Sequence, residues 1–214
     1  MPLLVGSGPF TIAGTPLQMP AVPAAPQTVE WMMNTVAAKS ISPFTGQQQI
    51  QDWQADWLEA TLSYPPMDHK TAQAWFAFLM KCRGPVATFL FGDPLAADPQ
   101  GTADGTPLVD GTAQTGFRLH TKGWTPNAVG VLLPGDWLQV GSRMYRAVTQ
   151  VDANGTGNAV INIYPRLRES PGDNNDIILH NTQGAFRLKS NVQKVSVSEM
   201  RFYGLQLEIV EVLC

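Results

Sequence analysis

The sequence predicts a mainly β protein: a β-barrel or sandwich domain built from both termini with one packed α-helix, plus an inserted small β-barrel of OB/SH3-like or galectin-like type. Three observations carry this. Nineteen glycines and 17 prolines in 214 residues place turns at short intervals. Apolar residues alternate in short runs, and one stretch alone has a helical period. The runs near both ends also resemble one another more than they resemble the middle block. That sets the expected domains at 1–93 together with 186–214, and at 94–185.

Taken in order, Pro2, Pro9, Pro16, Pro20, Pro23 and Pro26 leave no room for a central strand or helix in residues 1–27, which read as an extended arm. A hairpin is expected from Thr28 to Ser42, where Val29, Trp31 and Met33 alternate. Ser42-Pro43-Phe44-Thr45-Gly46 is a turn, followed by Gln47, Gln48 and Gln49. Residues 50–64 form the next strand. Trp53, Ala55 and Trp57 share one face, while Leu58, Ala60, Leu62 and Tyr64 share the other. The change of phase at Trp57-Leu58 predicts a bulge, or a strand buried on both sides.

The helix is expected at 69–83. Asp68 caps its start, and Ala72, Trp75, Phe76, Leu79 and Met80 give it one apolar face. Lys81 and Arg83 suit the negative end of the dipole, and Gly84 suits the left-handed position after it. A strand follows at Val86–Phe91. Residues 94–116 read as loop, with turns at Asp104-Gly105 and Asp110-Gly111. Short strands are then expected at Phe117–Thr121, Val129–Leu133, Asp136–Val140, Met144–Val151 and Ala159–Tyr164. Asn154-Gly155 would turn the last pair through positive φ. After an exposed loop at 170–175 come Ile177–His180, Ala185–Leu188, Gln193–Arg201 and Tyr203–Val212.

Composition narrows function. Charged residues make up 14% of the chain, against about 25% in ordinary soluble domains, and the net charge is −3. A surface so poor in charge suits a subunit packed among neighbours. It offers no cationic excess to a phosphate backbone. Cys82 and Cys214 read as reduced thiols, too few for a disulfide framework or a four-cysteine metal site. Residues 1–10 lack the pattern of a secretory signal, and no apolar run is long enough to span a membrane. His69, His120 and His180 are far apart, without metal-ligand spacing, and Cys82 has no histidine beside it. The pairs Asp52/Asp56 and Asp173/Asp176 read as solvated carboxylates. No catalytic, cofactor or metal residue is therefore expected, and the chain reads as non-enzymatic.

One ordered series discriminates further. Ser42 to Gln49 is followed by Trp53 and Trp57, Tyr64-Pro65-Pro66-Met67, Ala74-Trp75-Phe76-Ala77-Phe78-Leu79, Arg83-Gly84 and Phe91-Gly92-Asp93-Pro94. In the middle block come Pro134 to Gly141, Tyr145-Arg146 and Tyr164-Pro165-Arg166-Leu167, then Gly184-Ala185-Phe186-Arg187-Leu188. The series resembles the distal tail proteins of siphophages and related prophages over most of residues 29–209. The resemblance implies a virion structural protein, made in the host cytoplasm, that forms a ring at the tail tip, commonly six-fold. It implies as partners copies of the chain itself, the tail tube protein, the tail-tip hub protein, the tape measure protein and tail fibres. DNA would cross the channel only in transit. The inserted module would project outward. Within this frame, Ser42, Pro43, Phe44, Thr45, Gly46, Gln47, Gln48 and Gln49 are the expected intersubunit contact. Pro43 and Gly46 shape the turn, Phe44 is an apolar anchor, and the glutamines bond to neighbouring backbone without desolvating a charge.

Two other classes stay open. Trp124 or Trp137 could stack on a sugar in a carbohydrate-binding module that contacts the host surface, with Trp124 the surface candidate. Glycosidase carboxylates can lie far apart in sequence, so a glycan hydrolase also remains.

Overall fold

A computed structural model of the chain describes residues 16–21, 25–197 and 202–213. Most of the expected N-terminal arm, the end of the expected strand 193–201, and Cys214 lie outside the described residues. The strands are β1 (Thr28–Ile41), β2 (Gln48–Met67), β3 (Thr88–Phe91), β4 (Gly105–Val109), β5 (Gly116–Trp124), β6 (Trp137–Val140), β7 (Arg143–Ala147), β8 (Ala159–Leu167), β9 (Ile177–Ile178), β10 (Gly184–Leu188), β11 (Val195–Val197) and β12 (Tyr203–Glu211). The helix α1 (His69–Cys82) lies between β2 and β3. The fold is mainly β with one helix, and one of its two sheets is a nearly closed barrel. No helix among the described residues is long and apolar enough to cross a membrane.

The chain divides into two compact units. Among the described residues, the first holds 16–21, 25–31, 60–91, 185–197 and 202–213; the second holds 32–59 and 92–184. The outer half of the β1–β2 hairpin thus groups with the inserted block, whereas the sequence reading assigned it to the terminal domain.

In the first sheet the strand order is β1-β2-β12-β10-β3, with β11 added on β12. The residues 28–42, expected to fold into a hairpin of their own, are instead one strand, and β2 is its partner. In the first unit, Leu205, Leu207 and Ile209 alternate inward on β12, and Leu188 stands opposite Ile209. Rings link the helix to the sheet: Tyr64 lies 4.3 Å from Trp75, Trp75 5.8 Å from Phe78, and Phe78 5.5 Å from Phe89. Each buried aromatic removes a large apolar area from water, and edge-on contacts add to that.

The helix begins as expected, with Asp68 Oδ1 accepting from the Thr71 amide at 3.0 Å. Its buried face is Ala72, Trp75, Phe78, Leu79 and Cys82, a correction to the expected set. Phe76 is half-buried against the Tyr203 ring, and Met80 is exposed. With Ala72, Trp75 and Leu79 kept and Phe78 and Cys82 in place of Phe76 and Met80, the face is rotated by about 60° at about 100° per residue, because Phe89 of β3 receives Phe78. The left-handed cap is Arg83 itself, followed by Gly84 at φ +67. Gly84–Val86 form a 3-10 turn, which delays the strand expected at Val86 until Thr88.

In the second unit the order is β4-β5-β8-β7-β6-β9, and an antiparallel bridge between Leu108 and Asp176 joins the two ends. Leu119, Val131, Leu132, Leu138, Tyr145, Ile161 and Ile163 fill the interior. The buried Asp136 carboxylate accepts from the amides of Gln100, Gly101 and Leu133 at 2.8, 3.0 and 2.8 Å, pinning two loops to the barrel. Three expectations need correction. Residues 105–109, read as loop, are a strand, since Gly105 and Gly123 let β4 and β5 backbones approach too closely for any Cβ. Val129–Leu133 is not a strand and keeps one bridge, Leu132 to Val151. The 152–158 turn is held by Asn154 Oδ1, which accepts from the amides of Thr156 and Asn158, and positive φ falls at Gly157 instead.

Candidate assembly surface

The hairpin tip is built from its own residues. Ser42 donates its amide to the Gln47 carbonyl at 2.9 Å, and Gly46 to the Ser42 carbonyl at 3.0 Å. The Ser42 and Thr45 hydroxyls accept from the amides of Thr45 and Gln47. Gly46 sits at φ +69 in open space, so backbone conformation and not crowding selects glycine there. With the turn satisfied internally, Phe44 is left 95% exposed, and Gln47, Gln48 and Gln49 also face solvent. Only Ser42 of the expected contact segment is half-buried.

The segment is part of a larger apolar surface. Met33, Val36, Ile41, Ile50 and Trp53 are also exposed. From Met32 to Gln51 the sequence carries one charged residue, Lys39. β1 is the end strand of its sheet and contains no proline. Proteins usually guard a long edge with charges, proline or a bulge. This edge has a single lysine over ten residues of its outer part.

Below the tip, the hairpin is fastened within the second unit. Arg166, near the end of β8, donates from Nε to Asp56 Oδ2 at 2.6 Å and from Nη2 to Asp52 Oδ2 at 3.0 Å. Its guanidinium lies 4.4 Å from the centre of the Phe117 ring. Arg168 donates to the Asp56 carbonyl, and Tyr164 Oη to the Asn34 carbonyl at 2.7 Å. Tyr164 and Arg166 lie two apart on β8, and Arg168 follows just past its end. Asp56 is almost fully buried, a correction to the solvated pair expected of Asp52 and Asp56. Asp52 keeps half its side chain in solvent. The Gln54 amide, and then Arg166, hold its carboxyl below the usual range. Burial opposes the Arg166 charge, but bonds to Asp56 and Asp52 outweigh it and raise the pKa. The irregularity expected at Trp57-Leu58 falls at Gln54, φ +57, while Leu58, Glu59 and Ala60 are buried in succession on both faces.

Both sugar-stacking candidates are core residues. Trp124 is buried and donates Nε1 to Thr121 Oγ1 at 2.7 Å, which corrects its expected surface place. Trp137 is buried, with Nε1 on Asp93 Oδ2 at 3.3 Å and the Arg146 guanidinium 4.3 Å from its ring centre. His69 Nδ1 meets Tyr203 Oη at 2.9 Å, and His180 Nδ1 meets Asp98 Oδ1 at 2.8 Å. Asp173 pairs with Lys122 at 2.9 Å. Burial pushes the Cys82 thiol up to about 11, which keeps it protonated and unreactive at neutral pH. Among the described residues, no three His, Cys, Asp or Glu side chains are grouped to hold a metal.

Sequence reasoning missed the Arg166 fork. The signal was present as two patterns on separate strands: carboxylates four apart at Asp52 and Asp56, and Tyr164, Arg166 and Arg168 two apart. Nothing local says that the two strands meet. No protein-family model and no curated protein sequence matches the chain.

Proposed function

We propose that the chain is a structural subunit of a long flexible phage tail, working by assembly with copies of itself in a ring at the distal end. The observation that supports this best is the outer hairpin, which carries one charged residue from Met32 to Gln51 and presents Phe44 at its tip and Ile50 and Trp53 on β2 to solvent. Burying such a surface against a second copy would remove a large apolar area from water with one lysine, Lys39, as its charged residue. A ring uses a heterologous contact that closes by rotation, so the hairpin would meet a different face of its neighbour. The ordered series of aromatic and turn motifs supports the tail-tip reading, with the tube above the ring and the hub and fibres below or around it. The burial of Trp124 and Trp137 leaves the glycan-binding reading without its two stacking candidates.

Negative-stain microscopy of the purified full-length protein tests the proposal. Closed rings with a central channel are the expected result. Dispersed single subunits at micromolar concentration, or turnover of a cell-wall glycan, would refute it.

A further inference from the structure

We infer that the outer half of the β1–β2 hairpin is a strap that docks on the end of β8 and can release from it, with Arg166 as its catch. Three alternate residues reach three points on the strap. Tyr164 holds the Asn34 carbonyl, Arg166 grips the Asp52 and Asp56 carboxylates, and Arg168 holds the Asp56 carbonyl. A guanidinium fork sets direction as well as distance, so the catch fixes one orientation of the strap. Phe117 stacks beneath the fork and limits its movement.

A second observation pulls the other way. The Asn34 side-chain nitrogen is buried without a hydrogen-bond partner, beside the very carbonyl that Tyr164 holds. An orphaned buried donor opposes docking, because release returns it to water. The strap can leave as a unit, since the turn at its tip is satisfied by its own backbone and hydroxyls. A geometric catch set against an orphaned amide makes a two-position element whose balance a partner could tip. In the assembly reading, the catch aims Phe44 and Trp53 at a neighbour. The motion itself belongs to one subunit, and it can be measured whether or not rings form.

The test is a pulsed electron paramagnetic resonance distance between spin labels at Gln47→Cys and Ser142→Cys in the full chain, both positions being exposed. Cys214 is changed to Ser, and Cys82 is buried and escapes labelling. The starting protein should give a main narrow docked distance. Arg166→Gln should shift molecules into a second, broader population. Asn34→Leu, which removes the orphan, should narrow the distribution beyond that of the starting protein. One unchanged distribution in all three proteins would overturn the inference, as would broadening by Asn34→Leu. If Arg166→Gln fails to fold, the direction of the Asn34→Leu change decides alone. Failure of ring formation would leave these distances in the same order, so the two proposals fail separately.

Discussion

The tip and the neck of one hairpin, about ten residues apart, are held in opposite ways. The tip keeps its own bonds and turns a phenylalanine and three glutamines to solvent. The neck gives its carboxylates to another strand and buries one of them against Arg166. The difference separates two uses of polar and apolar groups. Where charge is buried with a fitted partner, the residue specifies position. Where apolar surface is left bare on an edge with a single lysine, the residue adds nothing to the subunit's own packing, and the proposed assembly would give it a use.

The largest effect should come from breaking the neck. Arg166→Ala takes the guanidinium from Asp56; the loss is at most the about 3–5 kcal/mol of a pair whose other partner stays buried, less what release of the strap recovers by returning Asp56 to water. Urea unfolding of the variant measures it. A loss under about 1 kcal/mol would mean that the pair contributes no more than a surface ion pair. Next comes the helix, which shows the same division over adjacent residues. Leu79→Ala should cost about 2–5 kcal/mol, while Met80→Ala should stay within about 0.5 kcal/mol. Equal losses in thermal melts would show that the buried face is misplaced.

Much of this was legible in sequence, and the failures have physical causes. Period and capping residues located α1, because 72, 75 and 79 repeat at helical spacing and Asp68 is a favoured N-cap residue placed just before them. They could not choose between Phe76 and Phe78, since both are apolar and the choice depends on β3. The turn at 42–47 was readable because all its bonds are local. The Arg166 fork was not, because it joins residues more than a hundred positions apart. Trp124 was misplaced because an indole reads alike on a surface and in a barrel, until Thr121 takes its N–H.

Smaller effects sharpen the comparison. Phe44→Ala should change the melting temperature of the isolated subunit very little, since a 95% exposed ring has almost no native packing to lose. The pH response of the neck has a defined sign. The Asp52 carboxyl is held low in the folded state, so its contribution is present above about pH 3.9, its unfolded value, and is lost as pH falls through the lower folded value. Asp52→Asn should therefore flatten part of the fall in urea midpoint between about pH 5 and pH 2. An identical pH profile in the variant would remove Asp52 from the catch.

Sedimentation velocity of the full-length protein beside Phe44→Asp tests the central claim most directly. A discrete multi-subunit species should form from the unsubstituted chain. The Phe44→Asp variant, with its melting temperature unchanged, should sediment as a single subunit, because a carboxylate at the tip cannot be buried against a neighbour. An oligomer that persists unaltered in Phe44→Asp, or an unsubstituted chain that stays monomeric at every concentration, would contradict the assignment of the hairpin tip as the assembly contact.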